Sequence, residues 1–325
     1  MKLPPLTVCH GDNERCGVTE YGKILDEGFR LLGCEPKLTN YKSLGSVAPR
    51  KGDVLLVHFE DGLLLRDTLY HLCRIRNGGT KVVLCCHYFD GATTMRYGGM
   101  ADHFVLHRPY PGAGDDRRAS VIPHACPEYN VPDHASLRER YGVPQGATVY
   151  TTFGFLVPWK RLPEQIWSLA DGLPERGFIQ VLTSHHFSGK NESEEREIKS
   201  ILAPLKDRSF FTTDFLDQRT ISDRLALSDL GFVFHPHHTG SVSGVTKQFV
   251  SAQCPVVMTH SSHSSDLREG VVRVQSFYVA QFVKAVLAVD DSTIESLRAG
   301  MAREYDRLKS TAIAGKYLNL FCRMV

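Results

Sequence analysis

The sequence predicts an α/β protein with two Rossmann-like domains that face each other across a cleft. Its 325 residues are enough for about two domains of roughly 150 residues each. Short apolar β-rich runs alternate with segments of helical periodicity, which is typical of a parallel sheet covered on both faces. A Pro-rich segment, Pro123–Pro132, divides this alternation into two halves of similar size.

The first half, residues 1–130, is predicted to form the N-terminal domain. Apolar runs predict strands at Leu6–Cys9, Asp53–His58 and Lys81–Cys86. Apolar residues at helical spacing predict helices at Cys16–Leu32 and Leu63–Arg76. Turn-rich sequence begins at Arg108, and we expect a linker that runs to about Gly146.

The second half, residues 147–305, is predicted to form the C-terminal domain. Its strands are expected at Thr148–Gly154, Phe178–Thr183, Leu230–His235 and Pro255–Thr259. Its helices are expected at Leu162–Leu173, Ser193–Leu202, Thr220–Ser228, Val245–Gln253 and Thr293–Lys309. The last segment, residues 306–325, contains a helix predicted at Thr311–Cys322, and we expect it to pack back on the N-terminal domain.

Composition and charge exclude several classes of protein. The chain is 42% hydrophobic and 23% charged, which is ordinary for a globular protein. The 38 basic and 36 acidic side chains leave a net charge of +2, so no dedicated nucleic-acid surface is evident. No run of about 18 apolar residues is present. None of the nine cysteines forms a C-x-x-C pair. We expect a cytoplasmic protein with reduced cysteines; peripheral attachment to a membrane and the oligomeric state stay open.

The common catalytic motifs are missing from the sequence. Neither a phosphate-binding P-loop nor a dinucleotide-binding G-x-G-x-x-G is present, and the hydrolase G-x-S-x-G is missing as well. Histidines cluster after two predicted strands of the second half, but the usual zinc spacings are not met. We therefore predict no metal site at these residues, which are His235, His237, His238, His260 and His263.

Three strand–loop–helix turns are the strongest candidates for a ligand site. The turn Thr239–Lys247 is rich in small residues, and the helix that follows presents free N–H groups and a positive dipole end to an anion. The turn Phe153–Arg161 carries two adjacent cations that suit a diphosphate. The turn His10–Tyr21 has the same form, with glycines that allow close approach of a ligand.

Five motifs, in this order along the chain, resemble those of one enzyme family. They are Cys16-Gly-Val-Thr-Glu-Tyr21, His58-Phe-Glu-Asp-Gly62, Gly154-Phe-Leu-Val-Pro-Trp-Lys160, Ser228-Asp-Leu and Gln253-Cys-Pro-Val-Val. Together they resemble the GT-B glycosyltransferases, and within them the retaining family 4 enzymes. The resemblance implies a GT-B fold and transfer of a sugar, with retention, from a nucleotide-diphosphate donor to a glycan, lipid or other small acceptor.

The resemblance also implies roles for particular residues. His87 and Lys160 would be the catalytic residues. Donor-binding residues would be Gly17, Gly154, Lys160, Arg161, Ser243, Gly244, Val245 and Gln248. Acceptor-binding residues would be Asp12, Asn13, Glu14 and Glu60. No cofactor or metal is implied, because the nucleotide-sugar is a co-substrate and the leaving diphosphate would be held by Lys160 and backbone N–H groups.

The sequence departs from the family at several of these positions. The family's Glu-x7-Glu pair would fall on Gly240 and Gln248, so both carboxylates are missing. Phe155 stands where an arginine is usual, and Arg161 replaces a glycine. Two alternatives therefore stay open: an inactive homologue that binds nucleotide-sugars, and a glycosyltransferase that acts on modified DNA.

Overall fold

The computed structural model describes residues 3–12, 16–60, 66–88, 93, 96–110, 117–186, 189–236 and 242–325. The described chain divides into two compact units. Unit 1 comprises the residues up to Glu128, residues 242–244 and Arg307–Val325, and unit 2 comprises most of the chain between Tyr129 and Asp306.

Unit 1 contains a six-stranded, fully parallel sheet. Its strands are β1 (Leu6–His10), β2 (Lys37–Asn40), β3 (Val54–Phe59), β4 (Lys81–Cys86), β5 (His103–Leu106) and β6 (Ala119–Val121). They lie in the order β2-β1-β3-β4-β5-β6. Helices α1 (Gly17–Leu31) and α2 (Arg66–Asn77) connect them. Every residue of β3 is buried, as expected for a central strand covered on both faces.

The C-terminal helix of the chain packs in unit 1 against α1. This helix, Ser310–Met324, is separated by one residue from the helix Asp291–Leu308. A Cβ added to Gly28 of α1 would lie 2.5 Å from the carbonyl oxygen of Ser310, so the two backbones meet at a glycine. The Phe29 ring contacts the ring of Tyr317 on the C-terminal helix, with centroids 6.3 Å apart.

Unit 2 also contains a six-stranded parallel sheet. Its strands are β7 (Thr148–Leu156), β8 (Gly177–His185), β9 (Ser209–Thr212), β10 (Leu230–Val233), β11 (Val256–Thr259) and β12 (Val271–Val274), in the order β12-β11-β10-β7-β8-β9. Its helices are α3 (His134–Arg140), α4 (Leu162–Asp171), α5 (Glu192–Leu202), α6 (Gln218–Ala226), α7 (Gly244–Ser251) and α8 (Val279–Leu287), of which α7 has its first residue in unit 1. The helices Asp291–Leu308 and Ser310–Met324 are α9 and α10. Both units therefore have the Rossmann-like architecture that the alternating pattern predicts.

Several elements lie where the sequence predicts none. Helix α3 lies inside the expected linker, where Asp133 caps it by accepting a hydrogen bond from the Ser136 N–H at 2.9 Å. Arg138 of this helix donates to Asp229 at 2.6 Å and so attaches the segment to unit 2. Five strands are not predicted by the apolar pattern: β2, β5, β6, β9 and β12. They are three to four residues long and mostly half-exposed, so no long apolar run marks them.

Candidate functional site

Four candidate side chains of unit 2 follow the carboxyl ends of its strands. The strand order reverses between β7 and β10, and in open α/β sheets ligands bind outside the carboxyl ends of the strands at this switch point. Lys160 follows β7, His186 follows β8, His235 follows β10 and His263 follows β11. A small cavity at this edge is lined by residues that include Gly154, Lys160 and Thr183.

Lys160 carries a positive charge that no described carboxylate neutralises. It ends the short 3-10 turn Pro158–Lys160 between β7 and α4. Within the described ranges, no carboxylate oxygen lies within 4.0 Å of its Nζ. The ammonium lies 5.6 Å from the centroid of the Trp159 ring. Burial lowers the pKa of Lys160 to about 8. An enclosed cation without a carboxylate partner is suited to binding an anion.

Gly154 allows Lys160 to approach the first turn of α7. Its φ of +125° is one that residues with side chains rarely adopt. A Cβ at this position would lie 2.8 Å from Lys160 Nζ and 2.9 Å from Val245 Cγ2. The bare Gly154 backbone therefore lies between the cation and the start of the helix, and no larger residue fits without moving one of them.

Helix α7 supplies backbone donors and one buried ion pair. Ser243 precedes the helix and is buried, whereas Gly244 is exposed and a Cβ there would meet open space. The N–H groups of the first turn have no partner inside the helix. Lys247 of the same helix is buried, and its Nζ lies 2.9 Å from Asp266. Since Asp266 neutralises that charge, Lys247 is not available to a ligand in the way Lys160 is.

Two of the predicted donor-binding side chains bond to protein neighbours. Arg161 is exposed, adopts a left-handed backbone with φ of 52°, and donates from Nε to Glu164 at 2.9 Å. Gln248 exchanges hydrogen bonds with Gln218, at 2.7 and 3.1 Å. A ligand contact to either side chain would have to replace these bonds, so their donor-binding roles stay predictions.

Two histidines of unit 2, His235 and His186, lie near the Lys160 cation. His235 is buried, its ring centroid lies 4.5 Å from that of His263, and it lies 5.7 Å from that of Trp159. Burial lowers the pKa of His235 well below its usual value, and the nearby Lys160 charge lowers it further. His237, His238 and Gly240 lie outside the described residues. In the part of the chain that the structure describes, the remaining histidines of this set form no group with metal-ligand geometry.

The predicted residues of unit 1 lie at the corresponding edge of the first sheet. The strand order reverses there between β1 and β3. Asp12 follows β1 and is exposed, Glu60 follows β3 and is half-buried, and His87 follows β4. Burial raises the pKa of Glu60 and lowers that of His87 well below its usual value. Gly17 begins α1 with open space at its Cβ position. Asn13 and Glu14 lie outside the described residues.

Unit 1 contains a cluster of histidines that the sequence motifs do not predict. Their rings gather around the buried Tyr21 ring, at centroid distances of 4.2 to 5.3 Å. The members in contact with Tyr21 are His58, His87, His107 and His124. A signal was available, because each of these histidines lies at or shortly after the end of a strand of one parallel sheet.

The chain is similar in fold to solved structures but not in sequence to characterised families. No protein-family model matches it, and no curated protein matches it by sequence. HepE of Anabaena in complex with UDP is 13% identical, with a TM-score of 0.72 over 98% of this chain and 100% of that one. A glycosyltransferase of Rickettsia africae is 10% identical, with a TM-score of 0.71 over 98% of each chain.

A third similar structure is matched over a smaller share of its own chain. It is an α,α-trehalose-phosphate synthase (UDP-forming) of Burkholderia vietnamiensis, 15% identical, with a TM-score of 0.63 over 94% of this chain and 80% of that one. Two parallel Rossmann-like sheets and this similarity along nearly the whole chain identify the GT-B fold. The fold expected from the sequence motifs is confirmed. No described helix is both long and apolar enough to cross a membrane.

Proposed function

We propose that the chain transfers a sugar from a nucleotide-diphosphate donor to a small acceptor, with retention. The observation that carries this proposal is the Lys160 ammonium, which has no described carboxylate partner and lies against Gly154 at the switch point of the unit 2 sheet. A diphosphate is the ligand that this cation and the N–H groups of Ser243, Gly244 and Val245 would bind together.

The reaction requires stabilisation of a leaving diphosphate. The bond between sugar C1 and the phosphate oxygen breaks, while the acceptor oxygen forms a bond to C1 on the same face. Negative charge grows on the leaving phosphate, which takes the acceptor proton. Lys160 and the α7 N–H groups are fixed before the reaction, so they stabilise this charge without reorganisation. No metal or cofactor is required for this route, which is a prediction that the EDTA experiment below tests.

His87 and its neighbours are proposed to serve the sugar and the acceptor. His87 is neutral because burial lowers its pKa, so its ring can accept or donate a hydrogen bond to a sugar hydroxyl. Asp12 and Glu60, at the ends of β1 and β3, offer carboxylates to acceptor hydroxyls. Asn13 and Glu14 are proposed for the same role from their place in the sequence.

Ligand-dependent thermal stability tests the donor half of this proposal. The full chain is heated with UDP, GDP, ADP and their sugar conjugates, because a ligand that binds only the folded state raises the melting temperature. UDP is the first nucleotide to test, since HepE was solved in complex with it. We expect one nucleotide series to stabilise the chain and Lys160→Ala to reduce that effect. No stabilisation by any nucleotide would contradict the proposal.

Turnover separates an enzyme from a binding protein. Donor hydrolysis, measured as released nucleotide, requires no knowledge of the acceptor. The missing Glu pair, with Gln248 bonded to Gln218, is the observation that favours an inactive binder. Binding without hydrolysis, and without transfer to any acceptor tried, would support that alternative over the enzyme.

A further inference from the structure

Three side chains of unit 1 bring potential metal ligands together at the carboxyl edge of its sheet. His58 lies in β3, Cys85 lies in β4 and His87 follows β4. His58 Nδ1 lies 3.5 Å from His87 Nε2, and Cys85 Sγ lies 4.0 Å from the same nitrogen. All three ligand atoms lie within 4.8 Å of one another. Among the described residues this is the group with metal-ligand geometry.

The two distances from His87 Nε2 are close to two edges of a tetrahedral zinc site. With Zn–N bonds of about 2.0–2.1 Å and a Zn–S bond of about 2.3 Å, the N···N edge is about 3.3 Å and the N···S edge about 3.6 Å. The observed separations of 3.5 and 4.0 Å are within about half an ångström of these edges. We propose that His58, Cys85 and His87 form a binding site for Zn²⁺.

Surrounding groups orient the ligands as metal sites require. The Tyr317 hydroxyl lies 3.1 Å from Cys85 Sγ, where it can donate to a thiolate. His107 Nε2 lies 3.5 Å from the same sulfur, and its Nδ1 lies 3.1 Å from the carbonyl oxygen of Ile122. A hydrogen bond between Nδ1 and this carbonyl fixes the orientation of the His107 ring beside the sulfur.

The donor atoms of the group, two imidazole nitrogens and a thiol sulfur, are types that bind a soft cation. Burial lowers the pKa of both His58 and His87 well below the usual value, so each ring is neutral and can ligate. Burial raises the pKa of Cys85 to about 12, so the metal-free group is a thiol. Binding forms a Zn–S bond, breaks the S–H bond and releases one proton to solvent for each Zn²⁺ bound.

Soft thiolate and imidazole donors select the metal by class. A set of two nitrogens and one sulfur suits Zn²⁺ and excludes Mg²⁺ and Ca²⁺, which prefer oxygen ligands. Zn²⁺ binding here goes beyond the proposed glycosyl transfer and requires no nucleotide. The Zn²⁺ site and the proposed glycosyl transfer both use His87. Bound Zn²⁺ and the proposed sugar contact would therefore compete for His87 Nε2.

Metal titration of the full chain tests the site directly. The purified protein is stripped with EDTA, desalted and titrated with Co²⁺, whose thiolate charge-transfer absorption reports Co–S bonding and whose visible bands report tetrahedral geometry. We expect one Co²⁺ per chain, displaced by one Zn²⁺. A chain that gives no thiolate charge-transfer absorption and retains no stoichiometric Zn²⁺ would overturn the proposal.

Neighbouring cysteines provide a matched pair of variants. Cys85→Ser should abolish the charge-transfer absorption and weaken Zn²⁺ binding more than about ten-fold. Cys86→Ser should change neither, because consecutive side chains of a strand point to opposite faces and Cys86 packs in the apolar core on the other side. His58→Gln provides a second ligand variant, and circular dichroism checks that each variant folds. Equal metal binding by Cys85→Ser and Cys86→Ser would refute the site.

Discussion

The two units place histidines at the same edge of their sheets but surround them with different side chains. In unit 2, His235 and His186 lie near the ammonium of Lys160, and burial together with this charge lowers the pKa of both. In unit 1, His58 and His87 lie beside the thiol of Cys85, which contacts the hydroxyl of Tyr317. Under the two proposals, the same strand-end position would serve an anion in unit 2 and a cation in unit 1, because the neighbouring side chain differs.

Burial explains why a single side chain next to the histidines can determine which ligand charge each site favours. Enclosed histidines are neutral in both units, because burial disfavours the charged form of the ring. A neutral ring can donate to an anion or ligate a cation. The charge of the site is then set by what lies beside the ring, a lysine in unit 2 and an ionisable thiol in unit 1.

Removing the unit 2 cation should have the largest effect. Lys160→Ala removes a charge-assisted contact worth about 1.5–3 kcal/mol, so UDP affinity should fall about 10- to 150-fold. Isothermal titration calorimetry measures the change. The matched control is Arg161→Ala, which removes the next cation along the chain, an exposed one already paired with Glu164. Equal losses in the two variants would show that the phosphates do not select Lys160.

A side chain at Gly154 should disturb both the backbone and the cation. Gly154→Ala forces a residue with a Cβ into φ of +125° and places that Cβ 2.8 Å from Lys160 Nζ. We expect the free energy of unfolding to fall by about 1–3 kcal/mol in chemical denaturation, and UDP binding to weaken in the folded fraction. Gly244→Ala is the control, since its Cβ meets open space. The comparison fails if the Gly244 variant loses as much stability.

The pH dependence of UDP binding should identify Lys160 as the charge involved. Its pKa of about 8 means that the ammonium is present below pH 8 and is lost as the pH rises through this value. Between pH 7 and pH 9 the protonated fraction falls about ten-fold, and UDP affinity should fall with it. Lys160→Arg keeps its charge throughout this range, so its affinity should stay nearly constant. A parallel decline in both proteins would assign the titration to another group.

The sequence predicts the architecture, and it places Gly154 and Lys160 of the candidate unit 2 site close together, because both follow from local patterns. Long apolar strands such as β3 indicate two Rossmann-like domains, and the order of the motifs indicates that these domains form a GT-B fold. Gly154 and Lys160 stand in one short segment, so their proximity follows from seven consecutive residues. Strands such as β2 and β9 are short and half-exposed, and no apolar run marks them.

Contacts between distant residues account for what the sequence does not predict. The pairing of Gln248 with Gln218 joins residues 30 positions apart, and the left-handed turn at Arg161 directs that side chain to Glu164. His58 and His87 are 29 positions apart, and they meet only because β3 and β4 pair in parallel. A regular recurrence of histidine at strand ends is the pattern that would have indicated this cluster.

Chelation with EDTA tests whether the proposed metal site of unit 1 is separate from the proposed diphosphate site of unit 2. If the diphosphate is stabilised by Lys160 and the α7 N–H groups, a metal ion there is redundant, because the positive charge is already in place. Donor hydrolysis or transfer should therefore persist in excess EDTA. Removing Zn²⁺ from unit 1 would free His87, so the rate should be unchanged or slightly higher. Cys85→Ser, which cannot hold the metal, should show no response to EDTA at all. Complete loss of turnover that added metal restores would place a metal ion in the reaction itself and remove the distinction between the two units.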